Sequence, residues 1–303
     1  MEAEITTIPP LQPGELSLIE HHSFLNILNV LQGELIILGL HLSSNHELLS
    51  ASFEMCNRAI ASLSNPERTR QFAALVKVEE DIVFEEIAVA LDNHRERALD
   101  QQTRDSIENI QSVFHILEVR ASEILARTQS PQHWDEITID ELRTELYDVF
   151  AAFEKNSKGR FRILYNPAQQ QANDYYVDFV AECVNHHSLS LPPAFRDVVR
   201  DLAANARKYT SPGGTINIGL YETKDELRCV VQDTGRGIPA EEIEQVVHYG
   251  RRGSNVHEVR TMGGGFGLTK AFLVTKRFGG RFWIKSELGV GTRITIAIPR
   301  STD

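Results

Sequence analysis

Apolar residues recur at helical spacing through the first half of the chain. Phe24, Leu28, Leu31, Leu35, Leu38 and Leu42 fall 4, 3, 4, 3 and 4 residues apart. Ile107, Ile110, Phe114, Leu117, Ala121 and Ile124 fall 3, 4, 3, 4 and 3 apart. This is the spacing of a coiled-coil seam. Between the seams, Glu67 to Ala98 predicts another helix, with Pro66 in its first turn and Ser64 as its cap. Glu47 to Leu63 predicts one more, continuous with the first or broken near Ser43-Ser44-Asn45. Seams of this kind must be buried against each other. The pattern therefore predicts an all-helical bundle from about Leu16 to Arg127, dimeric through its helices and closed by Ser130-Pro131. A flexible tail precedes it. Asp140 to Lys155 predicts a last helix, leading into a turn at Ser157-Lys158-Gly159.

Beyond that turn the period changes from helical to alternating. Arg160 to Asn166, Asp174 to Val180, Thr215 to Tyr221 and Leu227 to Gln232 predict strands, and Pro193 to Tyr209 a helix. Arg281 to Ile284 and Thr292 to Ile298 predict a closing hairpin around Gly289 and Gly291. Antiparallel pairs mixed with helices point to an α+β sandwich. The expected division is a tail over 1–14, a helical domain over 15–157 and an α/β domain over 158–303.

Composition narrows the classes. The 303 residues carry 31 Lys and Arg against 42 Asp and Glu, a net charge of −11. That balance argues against a nucleic-acid surface, which needs clustered positive charge. No apolar run approaches the roughly 20 residues of a membrane span, so no membrane insertion is expected. The start MEAEITTIPP lacks the basic region of a signal peptide. Cys56, Cys183 and Cys229 are too scattered for a disulfide framework. The natural compartment for such a chain is the cytoplasm.

Four chemical signals follow in order. Asp201 and Asn205 lie four apart on one helix face, followed by Lys208 and Tyr209. An amide oxygen can ligate Mg²⁺ together with substrate phosphates. Asp233-Thr-Gly235-Arg-Gly237-Ile-Pro239 ends a strand, where a carboxylate can accept a hydrogen bond from a base amine. Gly263-Gly-Gly265-Phe-Gly267-Leu268 opens a helix, and such an entry exposes N–H groups to phosphate. Gly289-Val-Gly291-Thr292 precedes the last strand. Each signal alone reads more simply as a turn.

Jointly, from Leu191 to Pro299, they resemble the Bergerat-type ATP-binding domain shared by histidine kinases, gyrase, the ninety-kilodalton chaperone and mitochondrial dehydrogenase kinases. NARKYTSPGG, DTGRGIP, GGGFGL and SELGVGTRITIAIP follow the histidine-kinase branch. The resemblance implies an α/β sandwich binding ATP and Mg²⁺. It assigns Asn205 to the metal and Asp233 to the adenine amine. Gly235 and Gly237 would shape the adenine pocket, with Thr292 beside it. Gly265 and Gly267 would meet the phosphates, Gly263 and Leu268 would complete that loop, and Lys208 and Tyr209 would line the site. Pro239 to Gly263 corresponds to a mobile lid, whose Arg251, Arg252 and Arg260 would reach the phosphates or stay solvated. The branch usually has Asn where this chain has Asp201. In gyrase-like members that position is an acidic general base, so Asp201 would support slow hydrolysis or a second metal shell.

The bundle carries the second half of the expected chemistry. With Phe24, Leu28 and Leu31 at positions d, a and d, His21 faces the core. His22 and Asn26 face outward, four residues apart. His22-x-Phe24-Leu25-Asn26-x-Leu28 resembles the phosphoacceptor helix of the sporulation phosphotransferase and citrate-sensor kinase group. The resemblance implies a two-component histidine kinase: ATP phosphorylates His22, and an aspartate on a separate response-regulator receiver domain takes the phosphoryl group. Asn26 would orient a water against phosphohistidine. Two departures stand out. Ser23 follows His22 where the family has an acid, and the Glu67 to Ala98 helix, with Glu79, Glu80, Asp81, Glu85 and Glu86, exceeds the usual hairpin. Its acidic face reads as solvated or as a docking surface. The alternatives are a phosphotransferase or phosphatase with little autokinase activity, and a protein serine kinase of the dehydrogenase-kinase or anti-sigma type.

Overall fold

The computed structural model describes residues 1–43, 48–98, 100–127, 133–157, 159–256, 258 and 264–300. The chain divides into two compact units, one of residues 11–131 and one of residues 1–10 with 132–303.

The first unit is a helical bundle. Helices α1 (Pro13–Glu20) and α2 (His22–Ser43) meet at His21, and α3 (Ser50–Ser62), α4 (Pro66–Asn93), α5 (Arg95–Ala98) and α6 (Gln101–Arg127) follow. Both seams are buried: Phe24, Leu28, Leu31 and Leu38 on α2 and Ile110, Phe114 and Leu117 on α6 have no exposed surface. Helix α2 packs on α3 and α6, and α4 packs on the same two, so four helices close on one another. The seams thus satisfy each other within one chain, and their burial does not call for a second copy. Burial of each such side chain stabilises the bundle by about 1.5–3 kcal/mol. By length and hydropathy α2 could cross a membrane, and its seam residues are buried in this core.

Two local expectations are corrected. Asn65, not Ser64, caps α4, its Oδ1 accepting from the N–H groups of Glu67 (3.0 Å) and Arg68 (3.1 Å). The acidic face of α4 is not merely solvated, because Glu86 accepts from the Ala51 and Ser52 N–H groups at the start of α3. The expected breaks at Ser44-Asn45 and Ser130-Pro131 lie outside the described residues.

The second unit holds a seven-stranded sheet in the order β1 (Glu2–Ile5), β8 (Arg281–Glu287), β9 (Gly291–Pro299), β7 (Glu226–Asp233), β6 (Thr215–Glu222), β4 (Tyr175–Glu182) and β3 (Ile163–Leu164). Among the described residues only β3–β4 and β4–β6 pair in parallel. A separate pair joins β2 (Asp135–Thr138) to β5 (Ser188–Leu191). Helices α7 (Ile139–Asn156), α8 (Pro193–Tyr209) and α9 (Gly267–Arg277) pack with the sheet in one core. The unit is the expected α/β sandwich, with two differences. Residues 1–14 are not a tail, since Glu2–Ile5 pairs with β8, Ile5 opposite Phe282, and Ile5 is buried; residues from Pro13 already form α1. The boundary falls at 131, not 157, because α7 buries Leu142, Leu146 and Phe150 in the sheet core.

Candidate functional site

Strand β7 ends at Asp233, between Ile216 on β6 and Thr292 on β9. The carboxylate accepts from the Gly235 N–H at 2.8 Å. Burial pushes its pKa up to about 6, opposed by N–H bonds from Gly235 and Thr292. A half-buried carboxylate held in this way is a selective acceptor for an amine edge. The following turn is packed tightly. Gly237 has φ +67°, and a Cβ there would lie 2.0 Å from the Glu287 carbonyl oxygen. Gly235 sits against the Tyr209 carbonyl, which accepts from the Arg236 N–H at 3.1 Å.

Ser286, which is not among the residues expected at the site, also belongs to this turn. Its hydroxyl accepts from the Ile238 N–H at 2.8 Å, donates to the Gly291 carbonyl at 2.9 Å and lies 2.9 Å from the Thr292 hydroxyl. It therefore ties the glycine turn to the last strand around Asp233. A serine in an alternating strand carries no distinguishing sequence signal.

Helix α8 brings Asn205 to the start of α9. A Cβ on Gly267 would lie 2.7 Å from Asn205 Nδ2, so only glycine lets the amide lie there. Among the described residues no side chain caps α9, and a helix start of this kind can bind an anion. Gly265, at φ +78°, packs on the backbone of Gly250 and Arg251, and Phe266 stacks on Tyr249 with centroids 4.9 Å apart. Lys208 Nζ sits 5.0 Å from the Tyr209 ring centroid. Burial, reinforced by the Arg252 charge, pulls its pKa down to about 8. Two cations brought together at cost are a ready anion site. Arg252 also donates to the Val256 carbonyl at 2.7 Å, whereas Arg251 is exposed. Leu268 packs partly buried against the core. Gly263 and Arg260 lie outside the described residues. Asp201 is in an ion pair with Lys270 at 2.7 Å.

In the helical unit His21 is a packed core-edge residue, 8% exposed, with Nδ1 2.8 Å from the Ser17 carbonyl oxygen. His22 opens α2 and is half-buried, with Nε2 3.4 Å from Asn26 Nδ2. With the amide donating, that nitrogen carries the lone pair. The Asn26 Oδ1 atom is buried and has no hydrogen-bond partner among the described residues.

Residues 191–302 match the family described as histidine kinase-, DNA gyrase B- and HSP90-like ATPase. The adaptive-response sensory kinase SasA of Synechococcus elongatus is 34% identical over 113 residues, 36% of this chain and 28% of the relative. The sensor protein SrrB of Staphylococcus aureus is 37% identical over 106 residues, 34% of this chain and 18% of the relative. The chain thus spans less than a third of these relatives. Among solved structures, the catalytic domain of histidine kinase ThkA aligns over 57% of this chain and all of that one, with TM-score 0.38 and 20% identity.

Proposed function

From a histidine kinase-, DNA gyrase B- and HSP90-like ATPase domain over residues 191–302, we propose that the chain is an ATP-dependent protein-histidine kinase acting on its own His22. One observation carries the reading. The Asp233 carboxylate and the Lys208 ammonium are both held at a cost that nucleotide binding would offset, and the Asn205 amide lies against Gly267 at the start of α9.

In this reading Asp233 accepts from the adenine amine, with Thr292, Gly235 and Gly237 shaping the pocket. The α9 N-terminus with Gly265 and Gly267 takes the phosphates, and Lys208, Tyr209 and Arg252 line them. Among the described residues no group of three acidic, histidine or cysteine side chains is placed to hold a metal. Mg²⁺ would arrive with the nucleotide, and the Asn205 amide oxygen would be its protein ligand. When bound, it withdraws charge from the transferring phosphoryl group. The His22 nitrogen lone pair attacks the γ-phosphorus, and the P–O bond to the departing ADP breaks. An aspartate of a separate response-regulator receiver then takes the phosphoryl group. Asn26, whose amide nitrogen lies 3.4 Å from His22 Nε2, would orient a water for hydrolysis of the phosphohistidine. A homodimer would use surfaces other than the two seams.

The test is incubation with γ-labelled ATP and Mg²⁺. Acid-labile label should appear on the wild type and on His21→Ala and be absent from His22→Ala. Unlabelled wild type that still binds ATP would refute autokinase activity, and acid-stable label would indicate a serine kinase. Ser23, which offers no base beside His22, favours a second reading as phosphotransferase or phosphatase. Its sign would be phosphate exchange with a phosphorylated receiver in the absence of ATP.

A further inference from the structure

Lysine in the first turn of a helix is opposed by the helix dipole, yet Lys270 stands in the first turn of α9. It is 4% exposed. Its Nζ lies 2.7 Å from Asp201 Oδ2 and 3.8 Å from Asp197 Oδ2, and Asp197 pairs in turn with Arg200. The cluster binds α8 to α9 beside the proposed phosphate site and balances two carboxylates with two cations. Asp201 lies one turn before Asn205 on the same face of α8, and its side chain is 26% exposed. Water can reach it.

We propose that Lys270 is a positioning residue that keeps Asp201 from activating water, and so reserves the γ-phosphoryl group for a protein acceptor. The proposal rests on the nucleotide reading above. A free carboxylate at this place would take a proton from a water whose oxygen attacks the γ-phosphorus. The β–γ bridging P–O bond would break, leaving ADP and inorganic phosphate and returning the proton to solvent. Carboxylates placed for this are effective general bases. With Lys270 donating to Oδ2, that lone pair is committed and the carboxylate is turned toward α9.

The test uses the full chain with His22→Ala, so that phosphate arises only from direct hydrolysis of Mg-ATP. Lys270→Met removes the donor. Lys270→Met with Asp197→Asn does so while keeping the cluster neutral, which guards against misfolding. Phosphate release should rise by about tenfold or more in both and fall back when Asp201→Asn is added. Lys270→Arg should stay near the wild-type rate. The calorimetric affinity for a non-hydrolysable ATP analogue should stay within about threefold throughout. Independently of turnover, the Lys270 ammonium should give a solvent-protected NMR signal that Asp201→Asn abolishes. Unchanged phosphate release at intact affinity would overturn the proposal. So would a tenfold or greater loss of affinity in the charge-balanced variant, which would make Lys270 a nucleotide contact. Failure of the parent chain to bind the analogue would instead overturn the nucleotide reading.

Discussion

The Asp233 carboxylate works against the fold that contains it. Its pKa is raised from 3.8 to about 6, so the folded state holds the proton more tightly than the unfolded chain. The stability that the protonated group lends is full below the unfolded pKa and lost as pH rises through about 6. At neutral pH the ionised group costs on the order of 3 kcal/mol. Asp233→Asn should therefore raise the melting temperature of the empty C-terminal unit while weakening ATP-analogue binding at least about tenfold; calorimetry reads both. Lys208, pulled down to about 8, sets the other edge. Analogue affinity of the free protein should be greatest between about pH 6 and about pH 8. It should decline below as Asp233 protonates and above as Lys208 loses charge. A flat titration across that range would contradict both assignments. Gly267→Ala should weaken analogue binding with the fold intact, since the added methyl displaces the Asn205 amide.

At the scale of elements, Asn65→Ala should cost about 1 kcal/mol of bundle stability through its lost cap. Ile5→Ala should cost the sheet unit about 2–4 kcal/mol, read as a lower denaturation midpoint. The two positions also mark how legible the sequence was. Helix α8 runs from Pro193 to Tyr209, as its apolar period and opening prolines indicate, and the seams of α2 and α6 are buried as their spacing requires. Strands β1, β2 and β5 have four residues each, two alternations, which is too few to stand out from a loop. They are strands because a distant partner supplies the hydrogen bonds. The seams of α2 and α6 cover each other within one chain, so their spacing by itself carries no argument for a dimer. In the proposed site, Gly235, Gly237 and Gly267, each packed where a Cβ would clash, fall within the motifs that carry the family resemblance. The roles of Ser286 and Lys270 were not legible, because they depend on contacts between strands and helices remote in sequence.

Across the whole molecule two separate apolar cores are formed, one per unit. Differential scanning calorimetry should resolve two transitions, and an ATP analogue should raise only the one that belongs to the sheet unit. One transition shifting as a block would show that the cores unfold together. The sheet unit is also interrupted in sequence, because its edge strand β1 is separated from the rest by the whole bundle. Glu4 and Arg281, bonded across that edge at 2.6 Å, lie 277 residues apart. At ribosomal speeds of about 5–20 residues per second, β1 emerges roughly 14–55 s before the strand it pairs with. The bundle can fold meanwhile, but the nascent edge strand must wait unpaired. Its two glutamates, Glu2 and Glu4, lend it the charge that discourages association with neighbouring chains during that wait.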